Sequence, residues 1–429
     1  MKSSELSESD FTEILKDHLL PFFPRAQLKG TVDATLYKRE ELVAQKGSSS
    51  ATNLYLKTSV NSKYRVELWR SQPFSSEEKK LIGCFLMALA GRDLPSLAAH
   101  RRDTLTSIVS ETVARFAAPD AKYFVLDLLD SLTEWAQQTY EGERIAFSAG
   151  VLNVRAGDDS GIEFSAIVKK DFVKVLSNAQ DTLLIFDRNG RLQRHESCAN
   201  VQFPPNSPTI TARRFVPIRF DNFAKWSAQN FSAVIVTLTR HGEILIFRNG
   251  DLLLAKRRGV WRYFTHEICL KQITNNALAK KSPKEFREEL YLTVLDVAFA
   301  RKGGCIGVLR KDFEILGIAP VSKQDRLREL SANSDTAKAL KVVINNRPFQ
   351  NLDRLLRAEL AGIDGSLVLD YKGNILAVGA ILSIKSRSED GGGRQAAAEN
   401  LSEYGLGLKI SNDGYIRAFG AREEIFTIG

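Results

Sequence analysis

The chain has 429 residues, of which 44% are hydrophobic and 26% are charged, and it carries a net charge of +9. This composition is typical of a globular protein with a core and excludes a collagen-like or fully disordered chain. The four cysteines lie far apart without a C-x-x-C pair, which argues against a disulfide framework or a zinc site. The positive charge either favours anionic partners such as nucleotides or simply aids solubility.

The sequence shows no pattern of a secretory or membrane segment. The first residues, MKSSELSESDFTEIL, are polar and acidic where a signal peptide needs an apolar core. The longest nearly apolar run, LIGCFLMALAG at 81–91, is too short to span a bilayer and indicates a buried helix. We therefore expect a cytoplasmic protein without a membrane partner.

Residues 1–142 are predicted to form an α-rich region of α+β type. The segment SESDFTEILKDHLLPFF has the capping residues and apolar spacing of a helix, and alternation predicts strands within 51–70. The sequence PFSSEEKK then starts a buried helix, and two further helices are expected at 101–118 and 122–140. A strand followed by this helix start resembles the end of a GAF-like sensory domain.

Residues 143–270 are predicted to be rich in β-strands. LLIFDRNGRL at 183–192 and ILIFRNGDLL at 244–253 each place Asn-Gly between apolar runs, which is a strong signal for a β-hairpin. One helix is expected near 221–230.

Residues 271–429 alternate helices with strands, which predicts a mixed sheet layered with helices. Ser282 and Pro283 suit the N-cap and first position of a helix that ends at Gly303. The strands are expected at CIGVL, SLVLD, ILAVGAIL, LGLKIS and YIRAFG, and further helices at NLDRLLRAELAG and GRQAAAENLSEY. The fold class is therefore α/β, with this C-terminal sheet preceded by the β-rich middle and the α-rich N-terminal region.

Two glycine-containing turns in this last region carry residues suited to phosphate chemistry. Asp364 and Gly365 enter a strand, and Gly392 and Gly393 precede Arg394 at a helix start. A helix start offers free N–H groups and a positive dipole end to phosphate, an arginine binds phosphate in a bidentate manner, and a carboxylate can hold a divalent cation. Each pattern also has a common structural explanation, because Asp-Gly often forms a turn and glycine-rich segments are often flexible loops.

The order of these segments resembles the DAC domain, the diadenylate cyclase domain of the bacterial DNA-integrity scanning protein and its relatives. That family has a Gly-Gly helix end before a buried strand, an Asp-Gly-Ala motif, a strand pair, a Gly-Thr-Arg-His-Arg-Ala-Ala helix start and a Leu-Ser-Glu. The corresponding sequences here are ARKGGCIGVL, Asp364-Gly365-Ser366, GAIL at 379–382, GGRQAAA at 392–398 and Leu401-Ser402-Glu403. The resemblance covers about residues 284–429 and implies a DAC-like nucleotide-binding domain at 271–429.

The resemblance also implies roles for individual residues. Asp364 would be the catalytic residue and would bind Mg²⁺ or Mn²⁺ together with a nucleotide triphosphate. The residues implied to contact the nucleotide are Gly365, Ser366, Gly379, Ala380, Gly392, Gly393, Arg394, Gln395, Ser402 and Glu403.

Two positions depart from the family pattern. The Arg-His-Arg set of the family holds the ATP phosphates, and here Arg394 is kept while Gln395 and Ala396 replace the other two. A lost charge-assisted contact costs roughly 1.5–3 kcal/mol, so triphosphate binding should be weakened. Gln395 could still donate one neutral hydrogen bond. This pattern is similar to that of the DAC-related sensor domains of bacterial conflict systems, which share the fold without the full catalytic set.

Two functional hypotheses remain open at this point, besides a structural relic whose activity lies in the N-terminal half. The first is a sensor of an adenine nucleotide or cyclic dinucleotide in bacterial antiviral defence. The second is a divergent diadenylate cyclase, a nucleotidyltransferase that joins two ATP with a divalent metal across a dimer. A homo-oligomer and a protein effector are the expected partners besides the nucleotide.

Overall fold

A computed structural model of the protein describes residues 7–33, 41–45, 52–58, 63–90, 97–154, 161–199, 201, 214–274, 282–328, 334–383 and 392–428. The chain divides into two compact units, of which the first comprises Met1–Arg214 and Phe220–Phe264 and the second comprises Phe215–Arg219 and Thr265–Gly429. The mixed α/β class expected from the sequence is confirmed. The regions predicted at 1–142 and 143–270 fall almost entirely into the first unit.

The first unit combines helices with antiparallel and mixed sheets. Its helices are α1 (Glu8–Ile14), α2 (Ser76–Ala90), α3 (Leu97–Ala117), α4 (Lys122–Trp135), α5 (Phe164–Ile167) and α6 (Asp221–Gln229). Its strands are β1 (Gln27–Asp33), β2 (Val43–Gln45), β3 (Asn53–Leu56), β4 (Tyr64–Trp69), β5 (Thr139–Tyr140), β6 (Glu143–Arg144), β7 (Phe147–Val151), β8 (Ile162–Glu163), β9 (Thr182–Phe186), β10 (Arg191–Ser197), β11 (Val234–Leu238), β12 (Ile244–Arg248), β13 (Asp251–Arg257) and β14 (Val260–Tyr263). Among the described residues, one sheet has the order β1-β4-β3-β2 and a larger one the order β14-β13-β12-β11-β7-β9-β10-β8.

Both predicted Asn-Gly hairpins are confirmed in this larger sheet. Strands β9 and β10 pair antiparallel, as do β12 and β13. In the second hairpin both Asn249 and Gly250 have positive φ, as a type I′ turn requires. One hydrophobic core runs from Phe11 to Trp261 and joins the helical part of this unit to its large sheet.

The second unit is a mixed sheet with helices on both faces. Its helices are α7 (His266–Gln272), α8 (Lys284–Phe299), α9 (Glu314–Ile318), α10 (Asp335–Ile344), α11 (Arg354–Gly362) and α12 (Gly393–Ser402). Its strands are β15 (Gly304–Leu309), β16 (Ser366–Asp370), β17 (Ile375–Ala380), β18 (Gly405–Ile410), β19 (Ile416–Gly420) and β20 (Glu423–Ile428). In the described part the sheet order is β17-β16-β15-β18-β19-β20, in which β15 and β16 are parallel and the other neighbours are antiparallel.

Two glycines of β15 show how the helices cover this sheet. A Cβ atom on Gly304 would meet the backbone of Ala361 in α11, and one on Gly307 would meet Leu401 in α12. Because side chains alternate along a strand, these two positions face opposite sides of the sheet. Helices α11 and α12 therefore lie on opposite faces, and small residues on the strand allow both to pack closely.

One predicted helix cap is wrong. The N-cap residue of α8 is Pro283, and no side chain forms a capping hydrogen bond there. The hydroxyl of Ser282 donates to the carbonyl of Tyr371 at 2.8 Å. The hydroxyl thus binds the turn after β16, and the helix begins one residue later than predicted, at Lys284. The edge strand β20 was not predicted. Within the described residues, no helix combines the length and apolar character needed to cross a bilayer.

Candidate functional site

The second unit contains a cleft of about 880 Å³ at the N-terminal end of α12. We call it the α12 cleft. It is lined by Cys305, Asp364, Gly365, Ser366, Ala380, Ile381, Leu382, Gly392, Gly393, Arg394, Gln395, Ala396, Ala397, Lys409, Ile410, Ser411 and Asn412. The two glycine-containing turns singled out in the sequence meet in this one place.

Asp364 and Arg394 face each other across the cleft. Asp364 lies between α11 and β16 with its side chain 98% exposed, and its Oδ1 is 3.6 Å from Nη2 of Arg394. The other terminal nitrogen of Arg394, Nη1, donates to Oδ1 of Asn412 at 3.2 Å. A Cβ atom on Gly303 would overlap the guanidinium, so the glycine before β15 makes room for it. Arg394 is thus held in position while 37% of its side chain stays exposed.

Steric crowding explains why a glycine follows Asp364 in the Asp-Gly turn. Gly365 has φ +97°, and a Cβ atom there would lie 2.5 Å from the carbonyl carbon of Gly379. Gly379 itself has φ +64° and does not line the cleft. The close contact of these two backbones sets the direction in which the chain leaves Asp364.

Steric crowding does not explain the two glycines at the start of α12, Gly392 and Gly393. Gly392 is the N-cap with φ −67°, and its carbonyl accepts from the N–H of Gln395 at 2.9 Å. Among the described residues, a Cβ atom on Gly392 or Gly393 would meet nothing within 4 Å. The first N–H groups of a helix have no acceptor within the helix, and they form the positive end of its dipole. The two glycines therefore leave this end of α12 open to the cleft.

Gln395 is engaged on both sides of its amide. Its Nε2 donates to Oε1 of Glu399 at 2.8 Å, and its Oε1 accepts from Nζ of Lys409 at 3.0 Å. Lys409 belongs to β18 and was not predicted as a site residue. Burial lowers the pKa of Lys409, Arg417 lowers it further, and Asp413 and Glu399 act in the opposite direction.

Cys305 and Ser366 form the floor of the cleft, and both are buried. Burial raises the pKa of the Cys305 thiol to about 11, while a hydrogen bond with Ser366 and the charge of Arg394 lower it. The thiol is therefore neutral near pH 7. It supplies a small, weakly polar surface and not a nucleophile.

Two residues implied by the family resemblance lie at the other end of α12. The hydroxyl of Ser402 donates to the carbonyl of Glu399 at 2.7 Å and accepts from the N–H of Arg422 at 2.9 Å. Glu403 pairs with Arg422. The cleft thus brings together all of the predicted residues except Gly379, Ser402 and Glu403, and adds Lys409 and Asn412.

The lining offers limited support for a divalent metal. Among the described residues, Asp364 is the one carboxylate of the lining, and no group of three or more His, Cys, Asp or Glu side chains could hold a metal ion. Mg²⁺ is often bound by one or two carboxylates together with substrate phosphates. The residues present therefore fit a metal that arrives with a phosphate ligand, and they do not form a metal site of their own.

Comparisons with known proteins give little information on identity. No protein-family profile and no curated protein matches the chain. A hypothetical membrane spanning protein from Bacillus cereus is 18% identical over 35% of this chain and 67% of its own, with a TM-score of 0.26. A double mutant of DacA from Staphylococcus aureus is 16% identical over 33% of this chain and 84% of its own, with a TM-score of 0.23. Both TM-scores are too low to establish the fold or the function of this chain.

Proposed function

We propose that the α12 cleft binds a nucleotide and that the protein acts as a sensor of an adenine nucleotide or a cyclic dinucleotide. The observation that carries the proposal is the composition of this one cleft. It combines Arg394, Lys409 and the start of α12 with the carboxylate of Asp364 and an apolar wall of Ile381 and Leu382. A volume of about 880 Å³ is in the range of sites for small ligands.

The phosphate groups have a natural place at the start of α12. The open N–H groups there and the guanidinium of Arg394 are donors, and both favour negative charge. Asp364 would repel a bare phosphate, but it can share a Mg²⁺ or Mn²⁺ with one. The nearly complete exposure of its carboxylate leaves it free to do so.

The base or ribose would lie against the apolar wall. Ile381 is 83% exposed, so its apolar surface is accessible to a ligand in the cleft. Covering it would stabilise a bound ligand through burial of apolar surface. The cleft has a cationic end at the start of α12 and an apolar wall. A ligand with one polyanionic end and one flat apolar end fits these two parts better than a simple anion does.

The state of Gln395 favours the sensor over the cyclase. Its amide is tied to Glu399 and Lys409, and its neighbour Ala396 carries no charge. The first turn of α12 therefore offers one cationic side chain where the resembled family has an Arg-His-Arg set. The diadenylate cyclase stays the alternative. Its chemistry depends on a carboxylate that binds the metal and a cation that binds the phosphate, and exposed Asp364 and Arg394 would provide these two groups. A homo-oligomer, an effector and a role in defence remain predictions of the resemblance.

Calorimetric titration of the full chain with ATP, AMP and cyclic di-AMP, with and without Mg²⁺, tests the proposal. We expect at least one of them to bind, and Arg394→Ala to weaken binding by roughly ten- to a hundredfold, the value of a charge-assisted hydrogen bond. Arg347→Ala is the matched control, since Arg347 is an exposed arginine of the same unit outside the lining of the cleft. Absence of binding for all three ligands, or equal affinity of the two variants, would show the proposal to be wrong.

A further inference from the structure

We infer that Lys409 is a phosphate ligand of the α12 cleft and that it supplies, from β18, the positive charge that Ala396 does not provide in the first turn of α12. This inference rests on the proposed function, because it names a residue that would contact the bound nucleotide. It also changes the expectation drawn from the sequence, in which the cleft keeps a single cation.

The packing of α12 on β18 brings Lys409 to the start of the helix. A Cβ atom on Gly407 would overlap the backbone of Ala398, so helix and strand touch at this point. Moving from Ala398 back to Gln395 covers about 4.5 Å of helix, and moving from Gly407 on to Lys409 covers about 6.6 Å of strand. Since Gly407 and Lys409 are two apart, they lie on the same face of the sheet. The hydrogen bond between Lys409 and Gln395 shows that these two residues, one on the strand and one on the helix, lie side by side.

The position of Lys409 in the sheet also places it in the cleft. Lys409 is the direct cross-strand partner of Cys305, which forms the floor. Cross-strand partners project to the same face, so the lysine stem rises beside this floor. An ammonium group has three donors, and in the described part of the structure one of them reaches Gln395. Two donors therefore remain for a ligand.

Lys409 adds a positive charge to the described lining of the cleft. Arg394 lies 3.6 Å from Asp364, so the charges of these two side chains largely offset each other. Among the described residues that line the cleft, Lys409 changes the net side-chain charge from zero to one positive charge. Lys409 and the helix start therefore both attract an anionic ligand.

The test compares Lys409→Met with Lys338→Met by calorimetric titration of the full chain with ATP. Both changes remove one lysine charge, but Lys338 lies on α10, is mostly exposed and does not line the cleft. We expect Lys409→Met to weaken ATP binding about tenfold or more and Lys338→Met to leave it unchanged. Lys409→Arg should retain most of the affinity, because it keeps the charge. Equal affinities of Lys409→Met and the wild type would overturn the inference.

The outcome separates this inference from the proposed function. If the wild type binds ATP and Arg394→Ala weakens binding while Lys409→Met does not, the cleft binds a nucleotide and Lys409 is not a ligand. If the wild type binds none of the nucleotides tested, the proposed function itself fails.

Differential acetylation of the wild type covers the case in which Lys409→Met does not fold. Bound ATP should slow the labelling of Lys409 at least severalfold and leave Lys338 unaffected. Equal labelling of Lys409 with and without saturating ATP would overturn the inference.

Discussion

Nη2 of Arg394 lies 3.6 Å from Oδ1 of Asp364, although the strands β16 and β17 separate the two turns in sequence. The pair is loose and exposed, so it contributes little to stability. Its consequence is electrostatic, because each side chain reduces the effect of the other on a ligand in the cleft.

The first prediction concerns Asp364→Asn. Removing the carboxylate should tighten the binding of ATP in EDTA, since a negative charge beside Arg394 is lost, and should abolish any gain from Mg²⁺ or Mn²⁺. Calorimetric titration in EDTA gives the affinity for ATP without metal, and titration in Mg²⁺ or Mn²⁺ gives the affinity with metal. Asp312→Asn is the control, an exposed aspartate of the same unit outside the lining. A metal dependence that survives in Asp364→Asn would remove Asp364 from the metal site.

The second prediction contrasts two glycines of the cleft. Gly365→Ala should lower the free energy of unfolding by about 2–4 kcal/mol, because φ +97° is unfavourable for alanine and its Cβ would overlap the backbone of Gly379. Gly392→Ala should leave it nearly unchanged, since the φ of Gly392 is −67° and the added Cβ meets no atom of the described residues within 4 Å. Urea denaturation measures both. Equal effects of the two changes would contradict the account of the Asp-Gly turn.

The third prediction concerns the reactivity of Cys305. Its raised pKa of about 11 means that the thiolate fraction at pH 8 is about a hundredfold below that of a thiol with the ordinary pKa of 9.0. Iodoacetamide labelling of the folded chain, followed by mass spectrometry, should accelerate about tenfold per pH unit from pH 8 to 10. The same cysteine in urea should level off near pH 9. A folded-state rate that also levels off there would show that the thiol is not shielded at the floor of the cleft.

The fourth prediction concerns turnover. Incubated with ATP and Mn²⁺, the full chain should form little or no cyclic di-AMP, because Lys409 would replace only one of the two side chains of the resembled family that Gln395 and Ala396 do not provide. Chromatography of the reaction with mass detection would show this. Sustained formation of a cyclic dinucleotide would favour the cyclase over the sensor.

The sequence predicted the local elements of the second unit better than its site. The strands at SLVLD and LGLKIS and the helix start at GGRQAAA were found, because apolar runs and glycines mark them. Lys409 was missed, since its place in the cleft depends on the packing of α12 on β18. The alternation of Gly407 and Lys409 on one face of that strand was the available signal. Ser282 is not the cap of α8, because the helix begins one residue later and the Ser282 hydroxyl donates to the distant carbonyl of Tyr371.

A crystal structure of the full chain grown with ATP and Mg²⁺ tests the central claim most directly. We predict phosphate oxygens within hydrogen-bond distance of Arg394, of Lys409 and of the first N–H groups of α12, with the adenosine against Ile381. A nucleotide bound elsewhere in the chain, or one whose phosphates point away from the start of α12, would contradict the account.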